Sequence, residues 1–165
     1  MFEPGKQFQY SNSGFIVLGA IIEKVSGLSY FDYVTEHIVK PSRMYETDPR
    51  GKAGSPAGSA ISTAKDLLKF DKSLRKHKLL NAKYTDVLFT PRVDSTFGGK
   101  YAYGFFVRSG GKEDSIVGHD GESPGMNAQL DMYLNTGYSV IVLSDYDPPA
   151  ARNIAAKLQE LITLE

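Results

Sequence analysis

A tyrosine and an asparagine two positions apart, Tyr10 and Asn12, stand directly before a long apolar run. On a loop held by a rigid helix, two such side chains can project side by side. A tyrosine near cations can serve as a general base or proton relay. An asparagine can hold a substrate amide or orient a lysine through hydrogen bonds. The same residues are also compatible with a helix cap at Asn12 and a half-buried aromatic at Tyr10. A second candidate is Gly118-His119-Asp120-Gly121-Glu122-Ser123-Pro124-Gly125. Its glycines let a ligand approach the backbone closely. An edge strand here could donate backbone N–H groups to a developing oxyanion. His119 could polarise a substrate or move a proton; the plain alternative is a glycine-rich turn with a surface histidine. His119, Asp120 and Glu122 are too bunched to resemble a metal-ligand set, and His37 and His77 fall on expected helices without paired ligand spacing.

The elements that must position these groups follow from pattern. Asn12 or Ser13 can cap a helix over about 14–26 whose apolar residues cover nearly its whole circumference, so it is expected to be largely buried. Gly27 suits the left-handed position after its last turn. Ser29 and Asp32 have capping-box spacing for a second helix, which Pro41 is expected to end. Residues 48–59 are rich in Gly, Pro, Ser and Ala and read as loop. Thr63 and Asp66 repeat the capping spacing for a third helix, and a fourth covers about 82–89. The period then changes. Strands are expected at 101–108, 115–119, 126–134 and 138–144, the last two joined through Asn135-Thr136-Gly137 as a hairpin. After Pro148-Pro149 a final helix over about 150–162 carries an apolar face that can cover a sheet.

Helices first, then a meander, then a covering helix, imply an α+β fold with an antiparallel sheet of three to four strands. The 165 residues suit one domain, mainly helical over 1–90 and sheet plus helix over 91–165. Apolar residues at 41% and charged residues at 23% are ordinary for a globular domain, which argues against disorder. Nineteen basic residues balance nineteen acidic ones, which argues against a nucleic-acid partner. The one basic cluster, Lys69, Lys72, Arg75, Lys76 and Lys78, reads as a solvated helix face. With no cysteine, disulfides, zinc-thiolate sites and thiol catalysis are excluded within the chain. No apolar run reaches the roughly 18 residues of a membrane span, and no cofactor requirement is visible.

In four collinear blocks the sequence resembles the serine β-lactamase-related hydrolases, a family of class C β-lactamases, penicillin-binding proteins, D-alanyl-D-alanine carboxypeptidases, D-amino-acid peptidases and esterases. Pro4-Gly5 leading into Tyr10-Ser11-Asn12-Ser13-Gly14, then Leu18-Gly19 and Ile22-Glu23, looks like the Tyr-x-Asn region, which stands where class A enzymes have Ser-Asp-Asn. The stretch from Gly27 to Pro41-Ser42-Arg43-Met44 resembles the segment that commonly ends Pro-Leu-Gly-Met, with Ser42-Arg43 in place of Leu-Gly. Residues 57–67 resemble a further block. His119-Asp120-Gly121 matches the third motif in its His-x-Gly form, where other members have Lys-Thr-Gly.

The resemblance implies a β-lactamase/transpeptidase-like fold and an acyl-enzyme mechanism on esters, D-amino-acid peptides or β-lactams. It implies that Tyr10 is the base or proton relay and that Asn12 bonds the substrate or a catalytic lysine. His119 would line the strand side, Gly121 would leave room for substrate, and the Glu122 N–H would be one oxyanion donor. It also implies a small-molecule or peptide substrate and an extracytoplasmic setting. The family's nucleophile lies in Ser-x-x-Lys upstream of the tyrosine motif, and none of the nine residues before Tyr10 is serine. The chain is therefore expected to be the C-terminal part of such a hydrolase and inactive alone, or else a non-catalytic binding or assembly module. Its last strand is expected to be an exposed edge through which it pairs with a second copy. Internal matches stand at Ser62-Lys65, Ser73-Lys76 and Ser109-Lys112, but so short a pattern occurs about once by chance in a chain this rich in Ser and Lys, so a few matches carry little weight.

Overall fold

The computed structural model describes residues 2–3, 5–111 and 114–164. Pro4, Lys112 of the third Ser-x-x-Lys match, and the terminal Glu165 lie outside them. The chain divides into two compact units, a helical one over Tyr10–Asn81 and a sheet unit made of Met1–Gln9 and Ala82–Glu165.

The helical unit opens with α1 (Asn12–Ser26). Its cap is Ser11, not Asn12 or Ser13: the Ser11 hydroxyl accepts the Gly14 N–H at 3.2 Å. Gly27 closes the helix in the left-handed conformation, φ 74°, as its position suggests. The expected burial of α1 is not observed. Only Gly19 is buried, whereas Val17, Leu18 and Ile21 are at least half exposed and Val25 is 79% exposed. The apolar ring is real, but within the unit only one side of it has a neighbour. There Gly19 lies so close to Pro56 that a Cβ would come within 2.2 Å of the proline Cγ.

After an 81° bend, α2 (Tyr30–Val34) begins on the Ser29–Asp32 capping box. Ser29 Oγ accepts the Asp32 N–H at 3.2 Å and donates to the Asp32 carboxylate at 2.6 Å. Pro41 does not end this helix. A π-helical turn over Thr35–Val39 shifts the hydrogen-bond register, and Pro41 enters the first turn of α3 (Lys40–Ser42), where a missing N–H costs little. The chain leaves at Arg43 in the left-handed region, φ 57°.

Helix α4 (Ala64–Arg75) starts at Thr63, whose hydroxyl accepts the Asp66 N–H at 3.2 Å. Asp66 is fully buried. It accepts from the Glu46 N–H at 2.7 Å, the Thr47 hydroxyl at 3.0 Å and Lys69 at 2.6 Å, and so ties the loop after α3 to the helix. Burial pushes its carboxyl up, but these donors outweigh burial and hold it below the ordinary aspartate value. Two members of the basic cluster are thereby engaged: Lys69 with Asp66, and Arg75 with buried Asp71.

The sheet unit begins its regular structure with α5 (Ala82–Phe89) and holds one antiparallel sheet in sequence order. Its six strands are β1 (Val93–Asp94), β2 (Lys100–Tyr101), β3 (Phe106–Gly111), β4 (Asp114–Ser123), β5 (Met126–Tyr133) and β6 (Ser139–Ser144). Six strands replace the three to four expected because two of them, β1 and β2, are two-residue pairings too short to show a period. The strand expected over 101–108 is split by Gly104 at φ 83°. Strand β4 is longer than expected, running to Ser123 before a two-residue Pro124-Gly125 turn into β5. Strand β6 is the terminal strand on its side of the sheet.

Helix α6 (Ala150–Leu164) covers one sheet face, and Ile116, Tyr133, Val140 and Ala155 form the core between them. A file of polar residues, Asn127, Gln129 and Asp131, lies buried on the same β5 face as Tyr133. Each has a partner. Asp131 takes Arg108 at 2.5 Å and Gln129 at 2.7 Å. Asn127 accepts the Ala151 N–H in the first turn of α6 and donates to the Tyr146 carbonyl at 2.8 Å. The Pro148-Pro149 lead-in offers α6 no capping side chain of its own, so β5 supplies one. Asp114 fastens β4 to the β5–β6 turn through the Asn135 and Thr136 N–H groups and the Thr136 hydroxyl. Burial raises its carboxyl, yet these donors bring it below the ordinary value. Among the described residues no single helix is long and apolar enough to cross a membrane.

Candidate active site

Tyr10 and Asn12 flank the start of α1 in the helical unit. With Ser11 as the cap, the Asn12 side chain is exposed and takes no part in satisfying the helix N-terminus. Tyr10 is half-buried and its ring packs on Phe15, centroids 5.6 Å apart. The first turn of the helix thus fixes the Asn12 Cα and leaves its amide exposed, while Phe15 packs on the Tyr10 ring.

His119, Gly121 and Glu122 belong to the sheet unit. They are not on a turn, and their strand is not an edge: β4 lies between β3 and β5. The pairing is uneven along its length. The β3–β4 register ends at Phe106↔Gly118, whereas β4–β5 continues to Ser123↔Met126. From His119 onward β4 is therefore paired on one side only. Antiparallel strands alternate the direction of their backbone groups. The Ser115 carbonyl accepts from Leu134 N–H, so the odd-numbered residues of β4 address β5. The N–H groups of Asp120 and Glu122 consequently face the side that β3 has left.

Side chains alternate as well. Asp120 and Glu122 point to the α6 face, where Arg152 meets them at 2.7 and 2.9 Å. The hydrogen bond to Asp120 is the main cause raising Arg152 above its ordinary value. Their negative charge is thus countered on the face opposite His119 and Gly121. Gly121 is exposed, and a Cβ there would meet nothing within 4 Å. His119 is half-buried. Its Nδ1 lies 2.6 Å from the Asp120 carbonyl and its Nε2 lies 3.2 Å from the Tyr101 hydroxyl. Tyr101 and Arg152 carried no signal in the sequence beyond an aromatic in a strand and a base in a helix.

Ser62 Oγ lies 2.8 Å from Thr47 Oγ1 while Lys65 is exposed, and Ser73 is buried in α4. Ser109 accepts the Gly111 N–H at 3.3 Å. Among the described residues no group of three or more His, Cys, Asp or Glu gathers as a metal site.

This fold and these motifs define a class. The family model described as Beta-lactamase matches residues 1–164, and the chain belongs to that family. It is 25% identical to penicillin-binding protein 4* of Bacillus subtilis (strain 168) over 184 aligned positions, covering 87% of this chain and 41% of that protein. Its fold is similar to that of a penicillin-binding protein from Bacillus halodurans, with TM-score 0.87 and 26% identity over 97% of this chain and 57% of that one. It is also similar to an octameric penicillin-binding protein homologue from Pyrococcus abyssi, with TM-score 0.84 and 23% identity over 98% and 44% of the two chains. The chain spans about two fifths of the length of the curated relatives it matches.

Proposed function

We propose that the chain supplies the tyrosine and strand sides of an acyl-enzyme hydrolase site acting on esters, D-amino-acid peptides or β-lactams. In this reading the nucleophile is the serine of a Ser-x-x-Lys pair contributed by sequence outside these 165 residues, and the chain alone is inactive. Serine Oγ attacks the substrate carbonyl, and Tyr10 relays the serine proton to the leaving alcohol or amine. Water then hydrolyses the acyl-enzyme. Asn12 holds the substrate amide or the lysine. Gly121 admits the substrate backbone along β4, His119 lines that strand, and the Glu122 N–H donates to the oxyanion.

The observation that carries this reading is the one-sided pairing of β4 beyond Gly118. It leaves the Glu122 N–H outside the β4–β5 ladder, with the Glu122 carboxylate drawn to Arg152 on the other face. An N–H so oriented suits a developing negative charge, and the Arg152 pairing offsets the repulsion that a bare carboxylate would bring.

The test compares this chain with a longer protein in which a Ser-x-x-Lys segment precedes it, using p-nitrophenyl acetate, nitrocefin and a fluorescent penicillin. The chain alone should show background hydrolysis and no labelling. The longer protein should be acylated on a Ser-x-x-Lys serine, and Tyr10→Phe should lower kcat by about 10²-fold or more. Labelling at Ser62, or full turnover in Tyr10→Phe, would sink the assignment. Reversible penicillin binding without acylation would instead favour the non-catalytic module.

A further inference from the structure

Both ring nitrogens of His119 have partners within the sheet unit, and the partners differ in kind. The Asp120 carbonyl, 2.6 Å from Nδ1, can only accept, so Nδ1 carries the proton. In the neutral ring Nε2 then holds the lone pair. The Tyr101 hydroxyl, 3.2 Å away, donates to it.

Tyr101 is well placed for this. It is 8% exposed, and its ring packs between Phe8, at 5.1 Å, and Phe106, at 4.8 Å edge-on. Phe106 also lies 5.0 Å from the His119 ring. The backbone of Tyr101 is fixed on both flanks by β2, which pairs with Val93 of β1 and Phe106 of β3. The Arg92 N–H adds a bond to its carbonyl at 2.9 Å. The two shortest strands of the sheet thus act together to hold one phenol against one imidazole.

We propose that Tyr101 is a positioning residue that locks His119 as the Nδ1–H tautomer and occupies its Nε2 lone pair, making His119 a fixed wall of the site and not a proton shuttle. A general base needs an available lone pair on the nitrogen that faces its proton. Here that lone pair is engaged by Tyr101, so proton transfer stays with Tyr10. A rotation of the ring would forfeit both hydrogen bonds and turn carbon atoms toward their partners. The proposal rests on the hydrolase reading only for its consequence; the tautomer itself does not depend on it.

Two-bond proton–nitrogen spectra of the ¹⁵N-histidine-labelled chain test the tautomer directly. Three histidines are present, and His119 is assigned by its loss in His119→Gln. The expected pattern is a protonated Nδ1 and an unprotonated Nε2. In Tyr101→Phe, with the amide fingerprint retained, the Nε2 resonance should move downfield as the donor is lost. An Nε2–H pattern in the unaltered chain, or an Nε2 resonance unmoved by Tyr101→Phe, would overturn the proposal. Should that variant fail to fold, the pattern of the unaltered chain decides alone. In the longer protein, Tyr101→Phe should raise KM for the ester several-fold and leave kcat within about twofold, whereas a His119 proton shuttle would lose kcat. An Nδ1–H pattern with no hydrolysis by the longer protein sinks the hydrolase reading and leaves the tautomer standing. Hydrolysis with an Nε2–H pattern does the reverse.

Discussion

In the sheet unit Ile116, Val117, Met132 and Tyr133 have lost all contact with water, whereas in the helical unit the residues at that depth are Asp66 and Asp71. The helical unit places its apolar surface differently: Ile16, Val17, Leu18, Ile21 and Val25 of α1 face solvent. One unit is held by packing between a sheet and a covering helix, the other by a polar knot that pins loops to α4. The two should therefore answer differently to loss of volume, loss of charge and change of surface. Packing losses scale with atoms removed and the cavity left. Polar losses scale with the donors and acceptors stranded.

The largest effect is expected for Ile116→Ala, at about 3 kcal/mol. Amide exchange should speed up in β3–β6 and α6, and a loss confined to the helical unit would break the distinction. Asp66→Ala comes next, at about 2 kcal/mol, because it strands the Glu46 N–H and takes the buried acceptor from the Thr47 hydroxyl and Lys69. Its exchange signature should fall on α3, α4 and the loop between them.

Acid should reach both units through the same kind of group. Asp66 and Asp114 are held below their ordinary value when folded. Their contribution is thus complete above the unfolded value of about 4 and is lost as pH falls through the folded one. Denaturant midpoints should hold from pH 7 to 5 and drop below pH 4, less so in Asp66→Ala.

Ser42 sharpens the comparison from the other direction. It is 4% exposed, and its hydroxyl finds no hydrogen-bond partner among the described residues. Ser42→Ala should raise stability by about 1 kcal/mol, read as a higher denaturant midpoint. The smallest effect is expected at Val25, 79% exposed near the C-terminus of α1. Val25→Lys should change the stability of this chain by less than about 0.5 kcal/mol. A cost above about 2 kcal/mol would mean that this face is covered in solution.

Local chemistry was readable from the residues. Ser29 and Thr63 announced their helices because a cap is satisfied within three positions. The four longer strands showed through their period, as did the fold class. What depends on distant partners did not show. An all-round apolar helix reads as buried, yet α1 meets a neighbour only along the side of Gly19. Pro41 reads as a stop, yet a π-helical turn absorbs it. At the site, the glycines and His119 were visible, and the expected strand over 115–119 already held Gly118 and His119, but the continuation of that strand through Gly121 and Glu122 was not. The termination of β3 pairing at Gly118 depends on Gly104 and on two-residue strands below the reach of any period. Tyr101 was hidden for the same reason.

The cap that Asn127 lends to α6 bears on the order in which the sheet unit assembles. Asn127 and Ala151 are 24 positions apart, so the first turn of α6 cannot be completed locally. The chain between them must first close into the β5–β6 hairpin and bring its ends together, at an entropic cost that only the finished contact repays. The last helix in the sequence is then also a late one to lock, and a nascent chain would carry a frayed α6 until β5 is in register. In pulse-labelled exchange during refolding, protection at the start of α6 should follow that of β5 and β6, and Asn127→Ala should delay it further.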